Sequence, residues 1–223
     1  MREIQRYRYL VAALLTVIMF TMGVLVSNFV DDARTSSLHS EIQQDLVEIE
    51  SKQLQLTYLK SGEVQSCDVL KAGLNNIVSG YNRRLGNLQQ YKEESVLQEQ
   101  RFKTIRDRYI LSGIRYWMFA QDLRQRCDYS PDTVLFFANS LDQNDSEQNQ
   151  RQARQLTLLK KERRSQILIF TIPRNMEDGM VKILERQYNV TESPTLVLNG
   201  EEKLVGYHSR SEIREHLDNR TGG

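Results

Sequence analysis

The sequence predicts an α/β C-terminal domain preceded by an N-terminal transmembrane helix and an α-helical hairpin. Three observations carry that class. Residues 9–30 hold no charged side chain. Between residues 67 and 127 apolar side chains recur every three or four positions, the period of helices buried along one face. After Pro131 the period changes, and short apolar runs separated by turn residues take over. With 11 Gly and 3 Pro in 223 residues, chain breakers are scarce, which fits long uninterrupted elements.

Composition removes several classes of function. The 30 Lys and Arg nearly cancel the 29 Asp and Glu, so no long-range field draws the chain to nucleic acid. Two cysteines and three histidines cannot build a Cys-rich zinc framework. His39, His208 and His216 are too scattered for a metal site, so neither metal nor cofactor is expected.

Residues 1–8 include Arg2, Arg6 and Arg8, and residues 9–30 follow as the uncharged run. At about 1.5 Å per residue that run spans about 33 Å as a helix, against a hydrocarbon core of about 30 Å. Asp31 and Asp32 lie beyond it. The excess of Arg on the N-terminal side predicts a single-pass anchor in the cell membrane, with residues 1–8 cytoplasmic and the rest extracytoplasmic. A cleaved signal peptide is the rival reading, but the run is long and ends without an Ala-x-Ala pattern. Residues 31–62 then read as a membrane-proximal helix: Leu38, Ile42, Leu46 and Ile49 form its stripe and Ser61-Gly62 its stop. The stripe is too short to demand a coiled coil, and a solvated stalk or a helix packed on its neighbours fits it equally.

Residues 63–128 read as an antiparallel helical hairpin. Cys67, Leu70, Leu74, Ile77, Tyr81, Leu85 and Leu88 follow one face. After a polar break at 92–95, Phe102, Ile105, Tyr109, Tyr116, Phe119 and Leu123 follow another. Residue 97, beside the expected turn, is midway between Cys67 and Cys127. Residues equidistant from the turn of such a hairpin face each other, so a disulfide at its open end is expected. The other reading is a pair of buried free thiols. Trp117, in the cluster Tyr116-Trp117-Met118-Phe119, reads as core packing.

Residues 131–219 give strand, helix, strand, helix, strand, strand, helix. The strands are expected at 133–137, 166–172, 195–198 and 203–207. The helices are expected at 146–164 and 176–188 and from Ser209, where Ser209 and Glu212 have capping-box spacing. Asn199-Gly200 is a hairpin-turn signal. The stretch YNVTESPTLVLNGEEKLVGYHSRSEIREHL resembles the C-terminal half of a thioredoxin-like domain, and TVLFFANS resembles the strand that leads to its active-site loop. The resemblance covers residues 131–219 and is most specific from 188 to 206. It implies a thioredoxin-like domain with a cis-proline at Pro194. The whole plan looks like membrane-anchored thioredoxin-like proteins with a helical hairpin ahead of the domain.

Such domains exchange disulfides through a CxxC pair at the start of the first helix, where the helix end lowers a thiol pKa. Leu141 and Asn144 stand near those places here, so no thiolate can form on this loop. Ser140 and Ser146 have no adjacent base and are no substitute. Asp142, Asp145 and Glu147 cap and complement the helix terminus, or alternatively form an acidic recognition edge. In redox-active relatives the backbone before the cis-proline pairs with an extended substrate segment. Ser140, Leu141, Asn144, Ser193, Pro194 and Thr195 therefore make a candidate peptide-binding groove without catalytic residues. The expected function is redox-inactive protein binding or scaffolding at the membrane, with the lipid bilayer contacted through residues 9–30 and a protein partner. The alternatives are a thiol–disulfide oxidoreductase using Cys67 and Cys127, and a structural stalk that forms a homo-oligomer through residues 36–62. Sequons at Asn144, Asn189 and Asn219 are near the number chance provides.

Overall fold

In a computed structural model, the structure describes residues 2–79, 81, 99–127, 131–140 and 146–219. Their elements run α1 (Arg2–Lys60), α2 (Cys67–Val78), α3 (Glu99–Cys127), β1 (Asp132–Ala138), α4 (Glu147–Arg163), a 3-10 turn (Arg164–Gln166), β2 (Ile167–Pro173), α5 (Gly179–Gln187), β3 (Thr195–Leu198), β4 (Glu202–Val205) and α6 (Arg210–Asp218). The chain divides into two compact units, Met1–Glu50 and Ser51–Gly223.

The first unit is helix. Leu14, Leu15, Met19, Phe20, Leu25 and Val26 are exposed on it. Thr16 and Thr21 donate their hydroxyls back to the carbonyls of Ala12 and Val17, both at 2.9 Å. Among the described residues no helix is long and apolar enough to cross a membrane. This corrects the transmembrane anchor and signal anchor expected over residues 9–30, and with them the single-pass cell-membrane localisation and its topology. The physical reason lies in the length of the element. The apolar run is only part of α1, a helix of 59 residues. Its continuation carries Asp31, Asp32, Arg34, Glu41, Asp45, Glu48 and Glu50, so α1 as a whole is not apolar.

The second unit starts within α1 and holds everything after it. Lys60 ends that helix, and Gly62 leaves it at φ +88°, a backbone conformation that glycine adopts without strain. Leu56 and Leu59 are buried, and a Cβ on Gly73 of α2 would collide with the Leu59 side chain, so that glycine sets how closely the two helices pass. Lys52 and Gln55 both meet the Asn76 side chain at 3.4 Å. Helix α2 buries Leu70, Leu74 and Ile77 and lies against α3. Cys67 opens α2 and Cys127 closes α3; they form a disulfide, with their Cα atoms 5.5 Å apart. The expected turn at 92–95 lies outside the described residues.

Helix α3 also packs on β2, so the sheet and the helices before it share one core. Tyr81 sits at that junction. Its ring meets Tyr116 edge-on at 5.8 Å and Phe170 of β2 at 6.0 Å. Burial first, and the neighbouring Tyr116 second, push its phenol well above the ordinary tyrosine range. Among the described residues its hydroxyl has no hydrogen-bond partner. Gly113 of α3 makes room for it: a Cβ there would lie 2.7 Å from Tyr81 Cζ. Gly113→Ala is expected to cost about 2 kcal/mol despite alanine's better helix propensity, because the boxed ring cannot swing away. Tyr81→Phe in the same chain should recover most of the loss, as urea unfolding of the two variants will register.

The sheet has the order β2-β1-β3-β4, with β1 and β2 parallel and the other two pairs antiparallel. All of β1 is buried, as befits a central strand covered on both faces. Val134, Phe136 and Ala138 pack with Leu156 and Leu159 of α4 and with Ile213 and Leu217 of α6. The fold class expected from the sequence, a thioredoxin-like domain after a transmembrane helix and a hairpin, is corrected. The described chain is mainly helical, its mixed sheet has only four short strands, and no described helix qualifies as a membrane span. The physical reason is that the sheet is not buried by residues 131–219 alone. Part of its cover is α3, so the sheet and α3 belong to one compact unit.

Local chemistry explains the element ends. Asp178 accepts from the N–H groups of Met180 and Val181 at 2.7 and 3.4 Å. That cap starts α5 at Gly179, three residues later than the apolar pattern implies. Ser209 and Glu212 complete the capping box of α6.

Candidate functional site

The carboxyl ends of β1 and β2 and the first residues of β3 meet at one edge of the sheet. Register brings them together: Ala138 pairs with Pro173, and Phe137 with Thr195. Beyond the ladder, Arg174 N–H donates to the Ala138 carbonyl at 2.8 Å, and Asn175 N–H to the Asn139 carbonyl at 3.1 Å. The Ser193–Pro194 peptide is cis. The Pro194 carbonyl accepts from Gly206 N–H at 2.7 Å, and the Thr195 hydroxyl donates to the Glu192 carbonyl at 2.8 Å.

Three polar side chains join across this edge. The Ser193 hydroxyl donates to Asn139 Oδ1 at 2.6 Å, and Asn149 Nδ2 donates to Ser193 Oγ at 3.3 Å. Asn149 is buried in the first turn of α4, where its own N–H is capped by Ser146 Oγ at 3.3 Å. Helix α4 also holds the segment after β4. Gln152 Oε1 accepts from His208 N–H at 2.8 Å, Gln155 Oε1 from Arg210 N–H at 3.2 Å, and the Arg151 guanidinium lies 4.6 Å from the centre of the Tyr207 ring.

Of the residues singled out from sequence, Ser193 is half-buried in this cluster and Pro194 is buried beside it. Thr195 is fully buried in β3 and offers a partner no surface. Ser140 follows Asn139 and is half-buried. Leu141 and Asn144 lie outside the described residues, as do Asp142 and Asp145. Sequence reasoning missed Asn139 and Asn149. Asn149 was legible as the third residue past the Ser146 cap, and Asn139 as the first residue beyond the buried strand.

The cluster consists of amides and a hydroxyl, which donate and accept hydrogen bonds but neither take nor give protons near neutral pH. An ion-paired carboxylate lies beside the β2 end. Glu185 meets Arg174 at 3.0 Å and Lys182 at 2.8 Å. Burial raises its carboxyl, but the hydrogen bonds and charges of Lys182 and Arg174 outweigh it and hold the group below the usual range. Among the described residues no group of three His, Cys, Asp or Glu side chains could hold a metal ion. His216 instead pairs with Glu202 at 2.7 Å. Both cysteines of the chain are in the disulfide, at the start of α2 and the end of α3. No protein-family model matches the sequence, and no curated protein matches it.

Proposed function

We propose that this chain is a redox-silent protein-binding module that takes an extended segment of a partner protein along Ser193 and Pro194. One observation carries the reading. Where the carboxyl ends of β1 and β2 meet the start of β3, Asn139, Ser193 and Asn149 form a hydrogen-bonded set of neutral donors and acceptors. Such a set recognises a peptide backbone, which itself carries one donor and one acceptor per residue. Neither cysteine belongs to the β1–α4 connection, so dithiol exchange has no reagent there.

Binding of the full chain to an array of unstructured peptides tests this. Ser193→Asp replaces a donor with a carboxylate facing Asn139 Oδ1, and it should weaken retained peptides about tenfold or more, a loss of about 1.4 kcal/mol. Equal retention by the variant, or no retention by the unaltered chain, overturns the reading.

A further inference from the structure

We propose that Asn189 is a modification site whose side-chain amide takes an N-linked oligosaccharide. This goes beyond the binding reading and stands independently of it. Asn189-Val190-Thr191 is one of three sequons, and it is the one whose three residues are all described. A sequon supplies only the residue types; the fold decides whether a bulky, hydrated glycan can stand there. The segment follows the end of α5, and Asn189 stands at φ +49°, a left-handed turn that Asn tolerates better than most residues. Backbone groups hold the turn. Asn189 N–H donates to the Arg186 carbonyl at 3.2 Å, Val190 N–H to the Glu185 carbonyl at 2.8 Å, and Lys203 Nζ to the Asn189 carbonyl at 2.9 Å. Val190 is buried, while Asn189 and Thr191 on either side of it are exposed. Among the described residues neither the Asn189 amide nor the Thr191 hydroxyl makes a hydrogen bond, so a glycan on Asn189 costs the fold no contact. The Cys67–Cys127 disulfide is a separate sign of the same history: such bridges persist in oxidising compartments, where oligosaccharides are also transferred to protein.

The donor is an oligosaccharide carried on a lipid phosphate, and an oligosaccharyltransferase joins the two. Asn189 Nδ2 attacks C1 of the first sugar. The N–C1 bond forms, the C1–O bond to the phosphate breaks, and its electron pair leaves on the phosphate oxygen. The amide gives up one proton, which passes through the transferase to solvent, and Nδ2 keeps its other hydrogen. Nothing is oxidised or reduced. The backbone carbonyl of Asn189, held by Lys203, takes no part, so the turn survives the modification.

The test is mass spectrometry of the full chain isolated from the cells that make it. Trypsin releases residues 187–203, which contain Asn189 and Asn199, only the first of them in a sequon. That peptide should carry an oligosaccharide mass, and peptide-N-glycosidase should remove it and leave aspartate in place of Asn189. Thr191→Val and Asn189→Asp, expressed in the same cells, should each lose the modification completely, while Thr191→Ser retains it. Asp, like Asn, tolerates a positive φ, so the second variant keeps the turn, and matching far-ultraviolet circular dichroism checks that each variant is folded. Recovery of residues 187–203 wholly unmodified from the unaltered chain overturns the proposal, and so does an oligosaccharide that persists on this peptide in Thr191→Val or Asn189→Asp.

Discussion

Replacing both cysteines, Cys67→Ala with Cys127→Ala, is expected to lower unfolding stability by about 4 kcal/mol, measured by guanidinium denaturation against the oxidised chain. The bridge closes a separation of 60 residues. On the chain-entropy account, a loop of about that length removes about 4 kcal/mol of freedom from the unfolded state. The cost falls on a short helix. Helix α2 has 12 residues, too few to persist in water alone. Its other attachments include Leu70, Leu74 and Ile77 in the core, the Leu59 side chain over Gly73, and the contacts of Asn76 with Lys52 and Gln55. A loss below about 1 kcal/mol would mean that these contacts already restrict the hairpin and that the covalent link adds little.

The second large effect is expected from Arg163→Met, at about 3 kcal/mol. Arg163, at the end of α4, donates to Asp132 at 2.7 Å and also reaches Asp218 of α6. Asp132, which opens the central strand, is 7% exposed and cannot turn to water when its cation is removed. It is held further by Asn199 Nδ2 at 3.1 Å, while Asn199 Oδ1 accepts from Thr133 N–H at 2.8 Å. Asn199 can do this because the turn places it at φ +55°, a conformation Asn tolerates better than most residues. Asp132→Asn in the Arg163→Met background keeps the acceptor for Asn199 and needs no counter-charge, so it should restore most of the stability. If the two substitutions add instead, the loss at Arg163 comes from its packing and not from the stranded carboxylate.

Both predictions concern contacts that local pattern reveals unequally. The disulfide was legible because the expected hairpin brings together residues equidistant from residue 97, as Cys67 and Cys127 are. The Ser209–Glu212 capping box is a short-range set of bonds and was legible, whereas the Asp178 cap, which moves the start of α5 to Gly179, was not read from the apolar pattern. The cluster of Asn139, Ser193 and Asn149 was half legible. Ser193 and Pro194 were marked by the resemblance, but Asn139 and Asn149, the partners of Ser193, come from 54 and 44 residues away and meet it only in the folded chain.

Periodicity, capping residues and turn pairs were enough to set the order of helices and strands after Cys67, since each depends on neighbours a few positions apart. They could not show that α3 lies on the sheet, that Gly113 and Gly73 are spacers for Tyr81 and Leu59, or that Arg163 joins α4 to β1 and α6. They also misjudged residues 9–30, which the pattern isolates as a span and the fold makes one part of a 59-residue helix. Those outcomes rest on which surfaces pack together, and side chains distant along the chain decide that by shape, buried area and the need to pair buried charge.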